Sequence, residues 1–181
     1  KSKLIEHSNR NFVPLNSYKK STILLSNFEK FEKVIDKLID VFQKKHPLVA
    51  SFYYLFSALI EKTFIPRFMM LTIILENIFS TDNQEISHKI SERIALLLEK
   101  IPTNRKNVYD VIKEIYKIRS KIVHGLNISK YVGEKSLDNL EKLEEIVHKA
   151  INQIILDDEK YIIFNKSESK EIFFKDLIFA S

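Results

Sequence analysis

The chain has no cysteine and only 2 glycines and 4 prolines in 181 residues, and each shortage removes a class of structure or chemistry. Without cysteine there is no disulfide, no thiolate nucleophile and no cysteine metal site, which suits a reducing cytoplasm, the expected location. So little glycine and proline starves the chain of hairpin turns and favours long helices. Gly125 and Gly133 stand apart from each other, which excludes a glycine-rich phosphate loop, and no Gly-x-Ser-x-Gly elbow occurs. The longest apolar run, Leu48 to Ile60, falls short of the ~20 residues needed to span a bilayer. Glu61, Lys62 and Arg67 interrupt its extension, so no membrane partner is expected. No signal-peptide pattern opens the chain, which begins at Lys1, as a piece of a longer protein would. What remains is 45% hydrophobic and 29% charged, an ordinary composition for one globular domain with a real core. A net charge of +5 permits an anionic partner without demanding one.

Residues 1–20 are weakly patterned and read as an N-terminal arm or linker, leaving 21–181 as a single helical domain. Beyond the arm, apolar residues recur at helical spacing. A first helix is expected over 27–45, carried by Phe28, Phe31, Val34, Ile35, Leu38, Ile39 and Phe42. Pro47 starts a second over 48–63, aromatic enough to be buried on most sides, and Pro66 separates it from a third over 67–79. After the polar loop 80–84, a fourth helix spans 85–100 and is ended by Pro102. The fifth runs from Asn104 or Asn107 to His124, followed by a loop holding both glycines. Ser136 caps a sixth, through Leu156, with Leu140, Leu143, Val147, Ala150, Ile151 and Ile154 on its core face. Tyr161 to Phe164 reads locally as a strand, and 169–179 as a short closing helix. The expected fold class is all-α, a helical bundle of about six to seven helices.

One residue breaks the pattern. Val108, Ile112, Ile115, Ile122 and Val123 form one stripe at ~100° per residue, and Arg119 falls near its centre. A guanidinium on a packed face must meet a carboxylate, a phosphate or trapped water. The candidate carboxylate is Glu76, a lone acid in the apolar run Leu71 to Phe79, where it costs free energy unless paired. The fifth helix stops at His124, where Gly125 can take the left-handed position. That end carries the negative pole of the helix dipole, which favours a cation. A phosphate-binding cation and a titratable acid/base thus stand about one turn apart.

The stretch Ile118-Arg119-Ser120-Lys121-Ile122-Val123-His124-Gly125 resembles the Arg-x4-6-His motif of the HEPN superfamily, and in particular its Apea-like group. In that family the motif ends a long helix of a helical bundle, and an upstream apolar helix with a lone acid matches Leu71 to Phe79. The resemblance covers roughly 47–156. It implies a metal-independent endoribonuclease that needs no cofactor, or a relative that kept the fold and lost the activity. It also implies a homodimer with a composite cleft, and a role in prokaryotic defence or toxin–antitoxin biology with an antitoxin or regulatory partner. Ser120 stands where family members usually carry Asn, Asp or His, and serine is the weaker fit.

The residue chemistry supports RNA as partner independently. Cleavage through the 2′-hydroxyl needs a base, an acid and a cation on the developing phosphorane. Histidine suits both proton transfers and the arginine fork suits phosphate oxygens. One chain offers one such histidine, so two His124 and two Arg119 must meet across a two-fold seam. Ser120 and Glu76 complete the catalytic set. Lys117, Lys121 and Tyr116 are candidate substrate contacts, with Lys113 in the same every-fourth-residue row. Asp110 and Glu114 share that face, so a solvated charged surface competes with the RNA reading. Tyr109 is a further stacking candidate, and Tyr116 sits at the rim of the stripe, where a core role competes.

No metal site is expected. Glu85/His88 and Glu145/His148 have the Glu-x-x-His spacing of di-iron bundles, but both pairs fall opposite their helices' apolar faces. His7 and His46 are expected at the solvent-exposed surface. The competing class is a non-catalytic helical module that binds RNA or nucleotide, or docks a partner, within a larger protein.

Overall fold

A helix that is apolar nearly all round is stable only when other helices surround it, and the run from Phe64 to Phe79 is such a helix. The computed structural model describes residues 28–81, 86–125 and 134–179, and within them the secondary structure is entirely helical. Eight helices occur among the described residues: α1 Phe28–Gln43, α2 Leu48–Ile60, α3 Phe64–Phe79, α4 Ile86–Leu98, α5 Pro102–Val123, α6 Glu134–Ile155, α7 Asp158–Ile163 and α8 Ser167–Phe179. The central α3 packs against α2, α4, α5 and α6. Phe68, Leu71, Ile74, Leu75, Ile78 and Phe79 on α3 are fully buried, each worth about 1.5–3 kcal/mol on leaving water. Ile90 and Ile94 of α4, Ile112 and Ile115 of α5, and Leu143, Val147 and Ile154 of α6 close the same core. The expected arm at 1–20, the loop at 82–84, Gly133 and Glu85 lie outside the described residues.

The all-α bundle is as expected, with eight helices among the described residues where about six to seven were anticipated. The extra helix is α7, which replaces the strand expected at Tyr161 to Phe164. Asp157 caps it, its carboxylate accepting the Lys160 backbone N–H at 3.0 Å, and Asp158 and Glu159 sit at the positive end of its dipole. Tyr161 and Phe164 are thereby turned to one side, where both are buried. Two prolines also act differently from their expected roles. Pro66 lies inside the first turn of α3 and Pro102 opens α5, positions where the missing N–H costs nothing. Ser136 is a buried residue within the first turns of α6 rather than its starting cap.

The α1–α2 corner corrects a second expectation. His46 is buried, at 5% exposure, not solvent-exposed. In a chain this poor in glycine, Lys45 takes the left-handed turn after α1 (φ 52°), and the His46 N–H closes back on the Val41 carbonyl at 3.0 Å. The ring then stacks on Tyr161 at 4.6 Å. The Leu48 N–H donates to Nδ1 at 3.1 Å, and Nε2 lies 3.2 Å from the Tyr161 carbonyl. Those partners require a bare Nδ1 and a protonated Nε2, the neutral imidazole. Burial pushes the imidazole pKa down and the Lys170 charge adds to this, against the Tyr161 hydrogen bond and the Asp40 charge, which raise it. The unfolded chain therefore binds this proton more readily. The stability contribution of His46 is expected to be complete above the ordinary value of 6.5 and to fall as the pH drops below it toward the lowered folded-state value. Urea unfolding at pH 7.5 and 5.5 checks this, with a smaller loss in His46→Gln as the expected difference.

Candidate functional site

The buried residues of α5 are Ile112, Ile115, Tyr116 and Ile118, and Arg119 lies among them. Val123, expected on the α5 stripe, is 55% exposed. Arg119 meets Glu76 of α3. Nε lies 2.8 Å from Oε1 and Nη2 donates to Oε2 at 3.1 Å. The Nε contact is Coulombic, its N–H directed off the oxygen. The pair is partly sheltered, the side chains 29% and 22% exposed. Glu76 engages the Nε/Nη2 edge of the guanidinium and leaves the Nη1 end, with two N–H donors, outside that contact.

Tyr116 lies beside this pair, with the Arg119 guanidinium 6.0 Å from its ring centroid. It is buried, and its hydroxyl has no well-directed partner among the described residues. Burial and the neighbouring Glu76 charge push the phenol pKa well above its usual range, although Arg119 opposes them. Tyr116 is thus held neutral and acts in packing rather than in proton transfer. Replacing Glu76 with Gln is expected to cost about 1–3 kcal/mol, because Arg119 would keep its shelter and lose its counter-charge. The urea midpoint of Glu76→Gln checks this.

α5 ends as its last residues dictate. His124 is the exposed C-cap, its N–H bonded to the Ser120 carbonyl at 3.0 Å, and Gly125 follows at φ 64°. Ser120 and Lys117 are exposed, and Lys121 is half-buried. Lys117 pairs with Glu114 at 3.2 Å. Arg119, Ser120, Lys117, Lys121 and Tyr116 come together with Lys113, Ile86 and Ser87 around an open cavity of about 540 Å³ between α5 and the start of α4. His124 is not among the residues lining it. From helix geometry His124 stands roughly 140° round the α5 axis from Arg119 and about 7.5 Å along it. Within one protomer, therefore, Arg119 faces α3 while His124 shares the side of the lysine row.

Ile86 and Ser87 had no signal in the sequence, since their place at the cavity is set by how α4 docks on α5. The Glu-x-x-His residues that are described point outward. Glu145 and His148 are exposed, with Glu145 paired to Lys149 at 2.7 Å. His88 is exposed and edge-on to Tyr109 at 5.8 Å. Among the described residues no three His, Cys, Asp or Glu side chains are grouped to hold a metal ion, and no helix is long and apolar enough to cross a membrane.

Fold and site together define an all-helical domain with a sheltered arginine–carboxylate pair beside a cation-lined cavity and an exposed histidine at the helix end. Comparison with family models, with curated proteins and with solved structures finds no match in any of the three.

Proposed function

We propose that the chain is a metal-independent endoribonuclease of HEPN type, working at a groove shared by two copies as a prokaryotic defence or toxin effector. The observation that carries this reading is the pairing of Arg119 with Glu76. It fixes a guanidinium at the packed face with one end left to take phosphate oxygens. His124 meanwhile stands exposed a few residues on. In the reaction, one His124 removes the proton from the substrate 2′-hydroxyl and the 2′-oxygen attacks phosphorus. The bond from phosphorus to the 5′-oxygen breaks, and the leaving oxygen takes a proton from the second copy's histidine. The products are a 2′,3′-cyclic phosphate and a free 5′-hydroxyl. Arg119 stabilises the phosphorane, and Ser120 offers a further hydroxyl donor. Glu76 is a positioning residue, holding Arg119 without touching substrate.

The test is cleavage of single-stranded RNA in EDTA, with product ends analysed for cyclic phosphate. Cleavage that persists with those ends supports the proposal; activity abolished by EDTA overturns it. A second reading, a non-catalytic RNA-binding or partner-docking module, is favoured by the same ion pair, because Glu76 already satisfies much of Arg119 within one protomer. RNA bound but never cut would decide for that module.

A further inference from the structure

The cavity between α4 and α5 has a lining suited to a particular ligand. Among its described lining residues are four cations, Lys113, Lys117, Arg119 and Lys121, and no carboxylate. Arg119 is offset by Glu76 behind it. The Lys117–Glu114 pair is exposed, and such solvent-screened pairs contribute little, so it exchanges readily for a phosphate. Ile86 and Tyr116 supply an apolar wall, while Ser87 and Ser120 supply hydroxyls that donate or accept. About 540 Å³ is far more than an inorganic anion fills, and lies within the ~300–1,000 Å³ of small-molecule sites. Cations, hydroxyls and an apolar wall in that volume match a phosphate, a ribose and a base.

We propose that this cavity holds one nucleotide unit of a single-stranded RNA, its phosphate on Lys113 and Lys117 and its base against Ile86 and Tyr116. Lys113, Lys117 and Lys121 recur every ~6 Å along α5, and His124 ends the same side about 10 Å beyond Lys117. A strand seated in the cavity therefore leads along the lysine row to the imidazole. The inference rests on RNA as the ligand of this site and assigns the nucleotide next to the reacting phosphate to a single protomer.

The experiment measures binding of a 5′-labelled single-stranded oligoribonucleotide by fluorescence anisotropy in EDTA, with His124→Ala as the parent so that the RNA stays intact. Lys113→Ser/Lys117→Ser is expected to weaken binding at least about tenfold. Ser87→Trp, which fills the cavity without changing charge, is expected to weaken it comparably. The control Lys44→Ser/Lys142→Ser removes the same charge from exposed sites elsewhere and is expected to change affinity less than about twofold; thermal melts establish that each variant folds. Equal losses in the lysine pair and its control, or no loss in Ser87→Trp, overturn the nucleotide site. If wild type cuts RNA while the cavity variants bind normally, the cavity assignment fails and the ribonuclease reading stands. If wild type binds through the cavity and never cuts, the ribonuclease reading fails and the cavity assignment stands.

Discussion

RNA cleavage by His124→Ala is expected to fall by at least ~10²–10⁴-fold, the range by which a single positioned acid or base accelerates proton transfer. The loss belongs in the chemical step, since His124 lies outside the cavity lining and is exposed at the end of α5. The expected signature is a fall in kcat with KM nearly unchanged. The proposed two-copy site gives a sharper test. With His124→Ala mixed and re-equilibrated at equal amounts with wild type, a site needing both histidines retains about a quarter of the activity of all-wild-type protein at the same total concentration, because only wild-type pairs are complete. Independent protomers would retain about half. A linear dependence on wild-type fraction would sink the shared groove even if His124 proved essential.

The residues that made this site legible were those out of keeping with their helix. Arg119 on an apolar stripe and Glu76 on an all-apolar helix each cost free energy alone, so pairing them was a physical inference, and they meet in the structure at 2.8 Å. The same logic was available for Arg93, one residue from Ile94 on the buried face of α4. Its partner lay far along the chain, on α8. His46 gave no warning, because a histidine between two lysines and a proline has no periodicity to place it. Its burial comes from Tyr161, more than a hundred residues away. Tyr161 to Phe164 misled in the other direction. Four β-favouring residues read as a strand, and the carboxylates that start α7 lie just upstream and act through the backbone. Local pattern thus located every described helix but α7, together with the Arg119–Glu76 conflict. Long-range docking decided which conflicts were paired and which helices enclosed a cavity.

Replacing Arg93 with Met is expected to lower stability by roughly 3 kcal/mol, the lower part of the range for breaking a sheltered ion pair. Arg93 is buried at the carboxyl end of α3. Nη1 donates to the Phe79 carbonyl at 2.6 Å and to Thr81 Oγ1 at 3.1 Å, and Nη2 to Glu171 of α8. Its guanidinium also lies 5.3 Å from the Phe174 ring centroid. Burial pushes the Glu171 carboxyl up, but the Thr81 hydrogen bond and the Arg93 charge outweigh it and leave the group below its ordinary value. Arg93 therefore caps the central helix, pairs a carboxylate and ties α3, α4 and α8 together. Methionine keeps the bulk and loses all three functions. Glu171 is partly exposed and can rehydrate, which is why the upper part of the range is not expected. Lys170 is the contrast. It is equally buried and donates to the Ile78 carbonyl at 3.2 Å. Its pKa is pushed down first by burial and then by Arg93, and among the described residues no carboxylate pairs with it. Lys170→Met removes one hydrogen bond together with an unfavourable desolvation, so its expected cost is about 1 kcal/mol or less. Urea midpoints of the two variants decide the matter. A loss in Arg93→Met no greater than in Lys170→Met would mean that volume, not the capped and paired charge, holds α8 against the core.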